Sequence, residues 1–341
     1  MCRHLFHGVL LADVLFLFIY IASIAFLFVV TSYKVVENGF RPITNFIIIS
    51  EQVRIFMKVY SFVRESAPRV LQYVPSKDGK QEQNLYPTVR HYLYYLYCPA
   101  TIYKDSYPRK KEINYNFVAA QFFGFSCIVI YTDGDSEHYR DVGSTPFTMK
   151  EAVMTLAVSM FLGTLCMFMM FYGFLHSWLN IWAELLRFAD REFYKDWWNS
   201  TSFSQYYKKW NAVVYDWLYA YVYIDLNQIG LSRSLSLVLV FIFSSAIHEY
   251  LIALSLGFFY PVLAVTYLTV GVSLVFVTKN RKTQFWNTFM WSMLFAGWGV
   301  VICLYCTEWF ARINCKGLDN PIQDFFVPRS WSKSCHIITF S

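Results

Sequence analysis

The chain alternates between long apolar runs and polar, aromatic-rich segments. Runs near the length of about 20 apolar residues that crosses a bilayer occur at about 8–31, 152–178, 233–256, 259–277 and 285–306. Two more segments are less uniform. One, at about 113–132 (INYNFVAAQFFGFSCIVIYT), is aromatic and mildly polar, and the other, at about 41–64, carries Glu51, Arg54 and Lys58. Those charges fall at helical spacings i, i+3 and i+7, so one face turned from lipid can hold them; a helix lying flat on the membrane surface is the alternative. The pattern predicts an all-α polytopic membrane protein with about seven transmembrane helices plus cytosolic interfacial helices. No linker, repeat or low-complexity tract divides it, so 1–341 reads as one membrane-embedded domain. The first run is longer than a signal-peptide core and has no small-residue cleavage site after it, which makes it a retained span.

Composition agrees: hydrophobic residues make up 56%, aromatic 21% and charged only 15% of the chain, too apolar for an ordinary soluble protein of this length. The formal charge of +6 would suit nucleic acid in a soluble protein. Here the basic residues sit in loops beside apolar runs and set orientation instead, so no nucleic-acid partner is expected. Residues 66–112 hold Arg69, Lys77, Lys80, Arg90, Lys104, Arg109, Lys110 and Lys111 against Asp78, Glu82, Asp105 and Glu112, which argues for the cytosol. Residues 133–149 hold Asp133, Asp135, Glu137 and Asp141 against Arg140 alone and suit the opposite side, while TKNRKTQ (278–284) is again basic. Seven spans thread these loops with a cytosolic N-terminus and a C-terminus on the far side. Cys98, Cys127, Cys166, Cys303 and Cys306 lie within or beside apolar segments and read as packing residues. Cys315 and Cys335 flank the polar C-terminal tail on the non-cytosolic side, where a disulfide between them suits an oxidising lumen.

Candidate chemistry begins with LVLVFIFSSAIHEYLIALSLGFFYP (237–261), an apolar run with His248 and Glu249 near its centre. A titratable group in hydrocarbon is expensive and usually faces a cavity or partner. Ser244, Ser245 and Ser255 fall at i−4, i−3 and i+7 from His248, a polar stripe expected to line a cavity. HEYLI begins like the zinc motif HExxH, but Ile252 replaces the second histidine, so no metal is expected. No GxSxG elbow or P-loop is present. A covalent acyl-enzyme through Ser244 or Ser245 would lack an arranged base and orienting acid. Read alone, His248 also fits a helix-packing residue or a proton path. The longest polar interruption, 179–232, interleaves rings with charges of both signs, as suits a segment folded into the membrane interface. It contains the formal sequon Asn199-Ser200-Thr201, which a cytosolic placement leaves unmodified.

Within that interruption FYKDWWN (193–199), made of Phe193, Tyr194, Lys195, Asp196, Trp197, Trp198 and Asn199, resembles the FYxDWWN signature of the sterol O-acyltransferases, the acyl-CoA:cholesterol acyltransferase branch of the membrane-bound O-acyltransferase superfamily. LRFADREFYKDWWNSTSFSQYYKKWN (186–211), SSAIHEY (244–250), PATIYKDS followed by YPRK (99–110), and CTEWFARINC through VPRSW (306–331) are similar to that branch and stand in family order, from HLFHG onward. The resemblance implies the family's fold and transfer of a fatty acyl group from acyl-CoA to a sterol such as cholesterol, forming a steryl ester in the endoplasmic reticulum membrane. Acyl-CoA is then a co-substrate, and no cofactor is expected. The family's histidine matches His248 and its partner asparagine matches Asn211, preceded by Trp210; Tyr207, Tyr223, Arg233 and Ser244 fall where the family contacts acyl-CoA. Gln205 stands where a near relative has Asn, and Tyr215 where one has His. The Lys195-Asp196 pair and EWFARINC favour sterol over diacylglycerol as acceptor. A sterol-binding protein that keeps the fold without catalysis is the reading from a different class. Family members carry a cytosolic region and two more spans before the point matching His4 to Gly8, from which at most a homodimer is expected.

An unperturbed imidazole is mostly neutral at pH 7 and can take a hydroxyl proton as the oxygen attacks a thioester. Asn211 then either orients the acceptor or donates to the oxyanion. Arg233 lies about 22 Å up the helix from His248 at 1.5 Å per residue, near the cytosolic mouth, where it suits CoA phosphates or a plain positive-inside anchor. Glu249 lies about 100° around the helix from His248 and is expected to pair with a group on a neighbouring span that the sequence does not identify.

Overall fold

The computed structural model describes residues 2–71, 87–132, 149–331 and 335. The acidic loop with Asp133, Asp135, Glu137, Arg140 and Asp141 lies outside them, as do Lys77, Asp78, Lys80 and Glu82. In chain order the helices are α1 (Cys2–Asn38), α2 (Pro42–Leu71), α3 (Val89–Tyr97), α4 (Tyr115–Thr132) and α5 (Met149–Met170), which passes through π-helical Phe171–Trp178 into α6 (Leu179–Leu185). Then come α7 (Phe203–Trp210) and α8 (Ala212–Leu218), a π turn at Tyr219–Tyr223, and α9 (Ile224–Gln228). The chain continues with α10 (Arg233–Leu256), α11 (Val262–Thr266), a second π turn at Tyr267–Gly271, α12 (Val272–Val277), α13 (Gln284–Asn314) and α14 (Pro321–Phe326). Among the described residues there is no strand, only one isolated bridge between Arg109 and Phe188.

Each of the seven apolar segments is helical, and among the described residues four stretches are long and apolar enough to cross a membrane: Ala12–Asn38, Lys150–Leu185, Arg233–Leu256 and Gln284–Asn314. Tyr115–Val129 and Val262–Val277 are shorter apolar helices, and α2 with its charges is not in the set. The segment read as 152–178 runs on to Leu185, and that read as 285–306 runs on to Asn314. Ser232 caps α10 by accepting from the Leu235 N–H, and Gly257 ends it in the left-handed conformation (φ 77°) that glycine tolerates without strain.

Interhelical polar contacts register the membrane helices. Gln52, buried on α2, donates to the carbonyls of Leu27 (3.1 Å) and Phe28 (3.2 Å) on α1 and accepts from the Tyr250 hydroxyl of α10 at 2.8 Å. Without water to compete, such bonds and close backbone approach hold helices together in lipid. The α5–α13 contact uses close approach. A Cβ on Gly163 would sit 2.6 Å from the Trp298 carbonyl oxygen, and one on Gly299 would sit 2.5 Å from Met160 Cγ. Gly163→Ala is therefore expected to cost about 2 kcal/mol through overpacking against rigid backbone, seen as a lower melting temperature in detergent. Gly297→Ala, whose Cβ meets nothing within 4 Å, is the control expected to melt like the parent protein.

Irregular segments gather at the two ends of the bundle. At one end the 98–112 loop, the 186–211 segment and the 278–283 loop dock on each other. Thr101 donates to the Val213 carbonyl, Lys110 N–H to Arg187 and Ala189 N–H to Pro108. The Phe203 N–H donates to the Thr278 hydroxyl, and Thr201 to the Arg281 carbonyl. Lys58 anchors this end: 1% exposed, its ammonium donates to the carbonyls of Tyr95 (2.6 Å), Cys98 (2.7 Å) and Ala100 (2.7 Å) and lies 4.4 Å from the Tyr95 ring centroid. Its helix neighbours Arg54 and Glu51 pair with each other, and Arg54 also donates to the Leu96 carbonyl. At the opposite end the C-terminal tail folds under the bundle, Phe259 N–H donating to Phe325. Arg329 forks onto Asp324 (2.9 and 2.6 Å), which holds that carboxyl down at about 2, and Glu308 accepts from the Arg329 and Ser330 N–H groups. Cys315 and Cys335 are joined as a disulfide, their Cα atoms 5.4 Å apart.

Candidate active site

The FYKDWWN segment is a scaffold for the Trp210-Asn211 pair downstream of it. Phe193 and Trp197 are buried, Tyr194 is half-buried, and Asp196, Trp198 and Asn199 are exposed. The indole of Trp197 is the hub, with ring centroids of Trp210 at 4.8 Å, Phe171 at 5.3 Å and Trp291 at 5.4 Å. Backbone bonds run the segment alongside the end of α7: Lys195 N–H donates to Lys209, and Ala212 N–H to Phe193. The Trp198 carbonyl accepts from Asn287 and Trp291 of α13. Upstream, buried Glu184 accepts from Arg191, from Lys110 and from the Asn114 N–H, fixing the approach to the segment. The outcome is a rigid corner at Trp210-Asn211. There Asn211 caps α8, its Oδ1 accepting from the Val214 N–H at 3.1 Å. That bond fixes the side chain's orientation and leaves both amide hydrogens to donate.

His248 sits midway along α10. Its Nδ1 lies 2.7 Å from the Ser244 carbonyl and 3.5 Å from the Ser244 hydroxyl. A carbonyl only accepts, so in the neutral ring Nδ1 carries the hydrogen and Nε2 keeps the lone pair; the tautomer follows from this partner. Tyr207 of α7 reaches the same region, its ring 5.1 Å from Phe241 of α10 and 6.2 Å from Tyr267. Gly271 makes room for it: a Cβ there would stand 3.0 Å from the Tyr207 hydroxyl. Burial pushes the Tyr207 phenol up, keeping it neutral. Rings at Trp210, Tyr206, Tyr207 and Tyr267 lead continuously from the corner to His248, with successive centroids 5.6, 5.3, 6.2 and 5.6 Å apart.

Two of the three serines expected to form a stripe are buried against neighbouring helices. Ser245 and Ser255 are buried and donate back to the Ile242 (3.0 Å) and Leu251 (2.6 Å) carbonyls, satisfying their hydroxyls within α10. Of the three, Ser244 is the one that meets the imidazole. Tyr223 and Arg233 stand apart, toward the end carrying the 186–211 segment. Tyr223 stacks on Tyr219 (5.4 Å), which stacks on Tyr215 (6.1 Å), forming a column with the Lys208 ammonium 5.9 Å from the Tyr215 ring. Arg233 is exposed and bonds to no described residue. Gln205 lies on α7 with its side-chain oxygen accepting from the Thr201 N–H.

Sequence reasoning passed over two residues on π segments. Tyr267 packs edge-on against His248, with centroids 5.6 Å apart and planes at 81°. His176, in Phe171–Trp178, places Nδ1 2.7 Å from the hydroxyl of signature residue Tyr194. π segments have no residue pattern to announce them, though they recur at functional sites.

Residues 10–307 match the membrane-bound O-acyltransferase family. The chain belongs to that family. Among curated proteins it is 43% identical to sterol O-acyltransferase 1 of Mus musculus over 312 residues, which is 89% of this chain and 57% of that protein. It is 43% identical to sterol O-acyltransferase 1 of Chlorocebus aethiops over 337 residues, 96% of this chain and 59% of the other. With sterol O-acyltransferase 2 of Homo sapiens the identity is 39% over 317 residues, covering 88% and 58%. This membrane-bound O-acyltransferase chain thus spans under two thirds of the length of these relatives.

Proposed function

We propose that this chain transfers a fatty acyl group from acyl-CoA to the hydroxyl of a sterol such as cholesterol, with His248 as general base. One observation carries the reading: the bond from Nδ1 to the Ser244 carbonyl leaves the Nε2 lone pair free inside an apolar span. Nε2 takes the hydroxyl proton as the sterol oxygen attacks the thioester carbon. The tetrahedral oxyanion collapses, the C–S bond breaks, and the departing thiolate recovers the proton from the imidazolium. Asn211 donates its amide hydrogens to the oxyanion, which can only accept, while its oxygen caps α8. Trp210, Tyr207, Ser244, Tyr223 and Arg233 line the path of acyl-CoA, with Arg233 at the phosphate end. The basic 278–284 loop and the 98–112 and 186–211 segments face the cytosol, and the disulfide-bonded tail faces the lumen of the endoplasmic reticulum. The protein lies among membrane lipid as a multi-pass chain.

The sterol reading rests on the relatives' names and on the Lys195-Asp196 and EWFARINC features. Microsomes expressing the chain, given labelled oleoyl-CoA with sterol and diacylglycerol in competition, are expected to form steryl ester in preference to triacylglycerol. Predominant triacylglycerol would move the acceptor to diacylglycerol. A folded chain inert toward both would leave a lipid-binding protein without catalysis.

A further inference from the structure

Glu249 is 4% exposed on α10 beside His248, yet it points away from the imidazole toward a different helix. Its Oε2 accepts from the Ala264 N–H at 3.0 Å and its Oε1 from the Tyr305 hydroxyl of α13 at 2.9 Å. The same Tyr305 oxygen accepts from the Leu263 N–H at 3.3 Å. Pro261 precedes Val262, so Leu263 and Ala264 are the second and third residues of the continuous helix 262–277. Their N–H groups are among those a helix start leaves without intrahelical acceptors. Pro261 supplies no side-chain cap; a tyrosine and a carboxylate from two other helices supply the acceptors instead. A negative group at that helix end is also favoured by the helix dipole.

Three residues beyond Ala264 the helix changes to the π turn Tyr267–Gly271. That turn sets the Tyr267 ring against His248 and opens the space at Gly271 that receives the Tyr207 hydroxyl. We propose that Glu249 is a positioning residue: by accepting from Ala264 and Tyr305 it fixes the start of helix 262–277, and through it the π turn that holds Tyr267 and Tyr207 around the base. Glu249 itself exchanges no proton with substrate. The inference rests on the reading of His248 as the base.

The test compares Glu249→Ala, Glu249→Gln, Tyr267→Ala and the double variant Glu249→Ala/Tyr267→Ala in microsomes. Glu249→Ala is expected to lower kcat by about 10- to 100-fold, the scale of a misplaced reacting group, with a smaller rise in KM for acyl-CoA as Tyr207 shifts. Glu249→Gln, whose amide oxygen still accepts from Ala264, is expected to recover most of kcat. The double variant is expected to lose no more than the worse single one, because both act through the same turn. Independent additive losses, or a Gln variant as impaired as Ala, would overturn the proposal. A second readout does not depend on turnover: the rate at which diethyl pyrocarbonate modifies His248, followed by mass spectrometry. Glu249→Ala is expected to raise that rate and Glu249→Gln to restore it. Equal rates in all three proteins sink the positioning role even if the parent chain proves inactive, whereas a changed rate in an inactive parent sinks only the acyltransferase reading.

Discussion

Steryl ester formation by microsomes carrying His248→Ala is expected to fall by about 10² to 10⁴-fold, the range for loss of a general base, while the protein remains folded. His248 is partly accessible, and its polar contacts among the described residues, to the carbonyl and hydroxyl of Ser244, are both within its own helix, so its removal orphans no other element. Asn211 sharpens the assignment. Asn211→Asp keeps an oxygen to cap α8 but loses the amide donors, and is expected to lower kcat by about 10² to 10³-fold at nearly unchanged melting temperature. Asn211→Ala loses the cap as well and is expected to melt lower, by roughly 1 kcal/mol. Esterified oleate and detergent melting curves, measured on the same preparations, separate the two contributions. An Asp variant with full activity would remove Asn211 from the oxyanion site.

The second large effect is expected away from the reacting atoms. Lys58→Met keeps the aliphatic stem but leaves the Ala100 carbonyl without its donor, the Cys98 carbonyl with the Ala100 N–H alone and the Tyr95 carbonyl with the weak Cys98 thiol alone. At about 1–3 kcal/mol for a buried group left unsatisfied, with two further carbonyls losing their charged donor, the loss is expected to be about 3 kcal/mol. The 98–112 loop it secures also supports the segment before FYKDWWN through the Lys110–Arg187 and Ala189–Pro108 backbone bonds. The variant should therefore show low yield, a much lower melting temperature and little activity. Lys58→Arg is not expected to rescue it, since a planar fork cannot aim three hydrogens at three carbonyls as a compact ammonium does. A variant that melts like the parent protein would show the loop to be held by its other contacts.

Periodicity and length placed the helices because apolar runs in lipid have few alternatives to the helix. The charges at Glu51, Arg54 and Lys58 marked a protected face of α2, but not its counterpart. That counterpart is backbone carbonyl, which every residue carries and no sequence pattern distinguishes. The serines around His248 illustrate the converse. Their spacing suggested a polar wall, while short hydroxyl side chains satisfy themselves on the preceding helical turn, as Ser245 and Ser255 do. Tyr267 and His176 went unnoticed because a π turn shifts the facing of the residues after it without requiring a particular residue. Glu249 was conspicuous as a charge in an apolar run. Its partners, a tyrosine on α13 and an N–H of α11, become neighbours only once the helices pack.

The scaffold character of FYKDWWN has a consequence for recognising relatives. Its rings and backbone bonds shape the corner that presents Asn211, and the proposed base arrives on another helix, from α10. The motif is therefore a marker of architecture. A pseudoenzyme that had lost His248 would keep every selective reason to retain the seven signature residues, so a motif search would count it among the enzymes, and the residue at position 248 would separate the two.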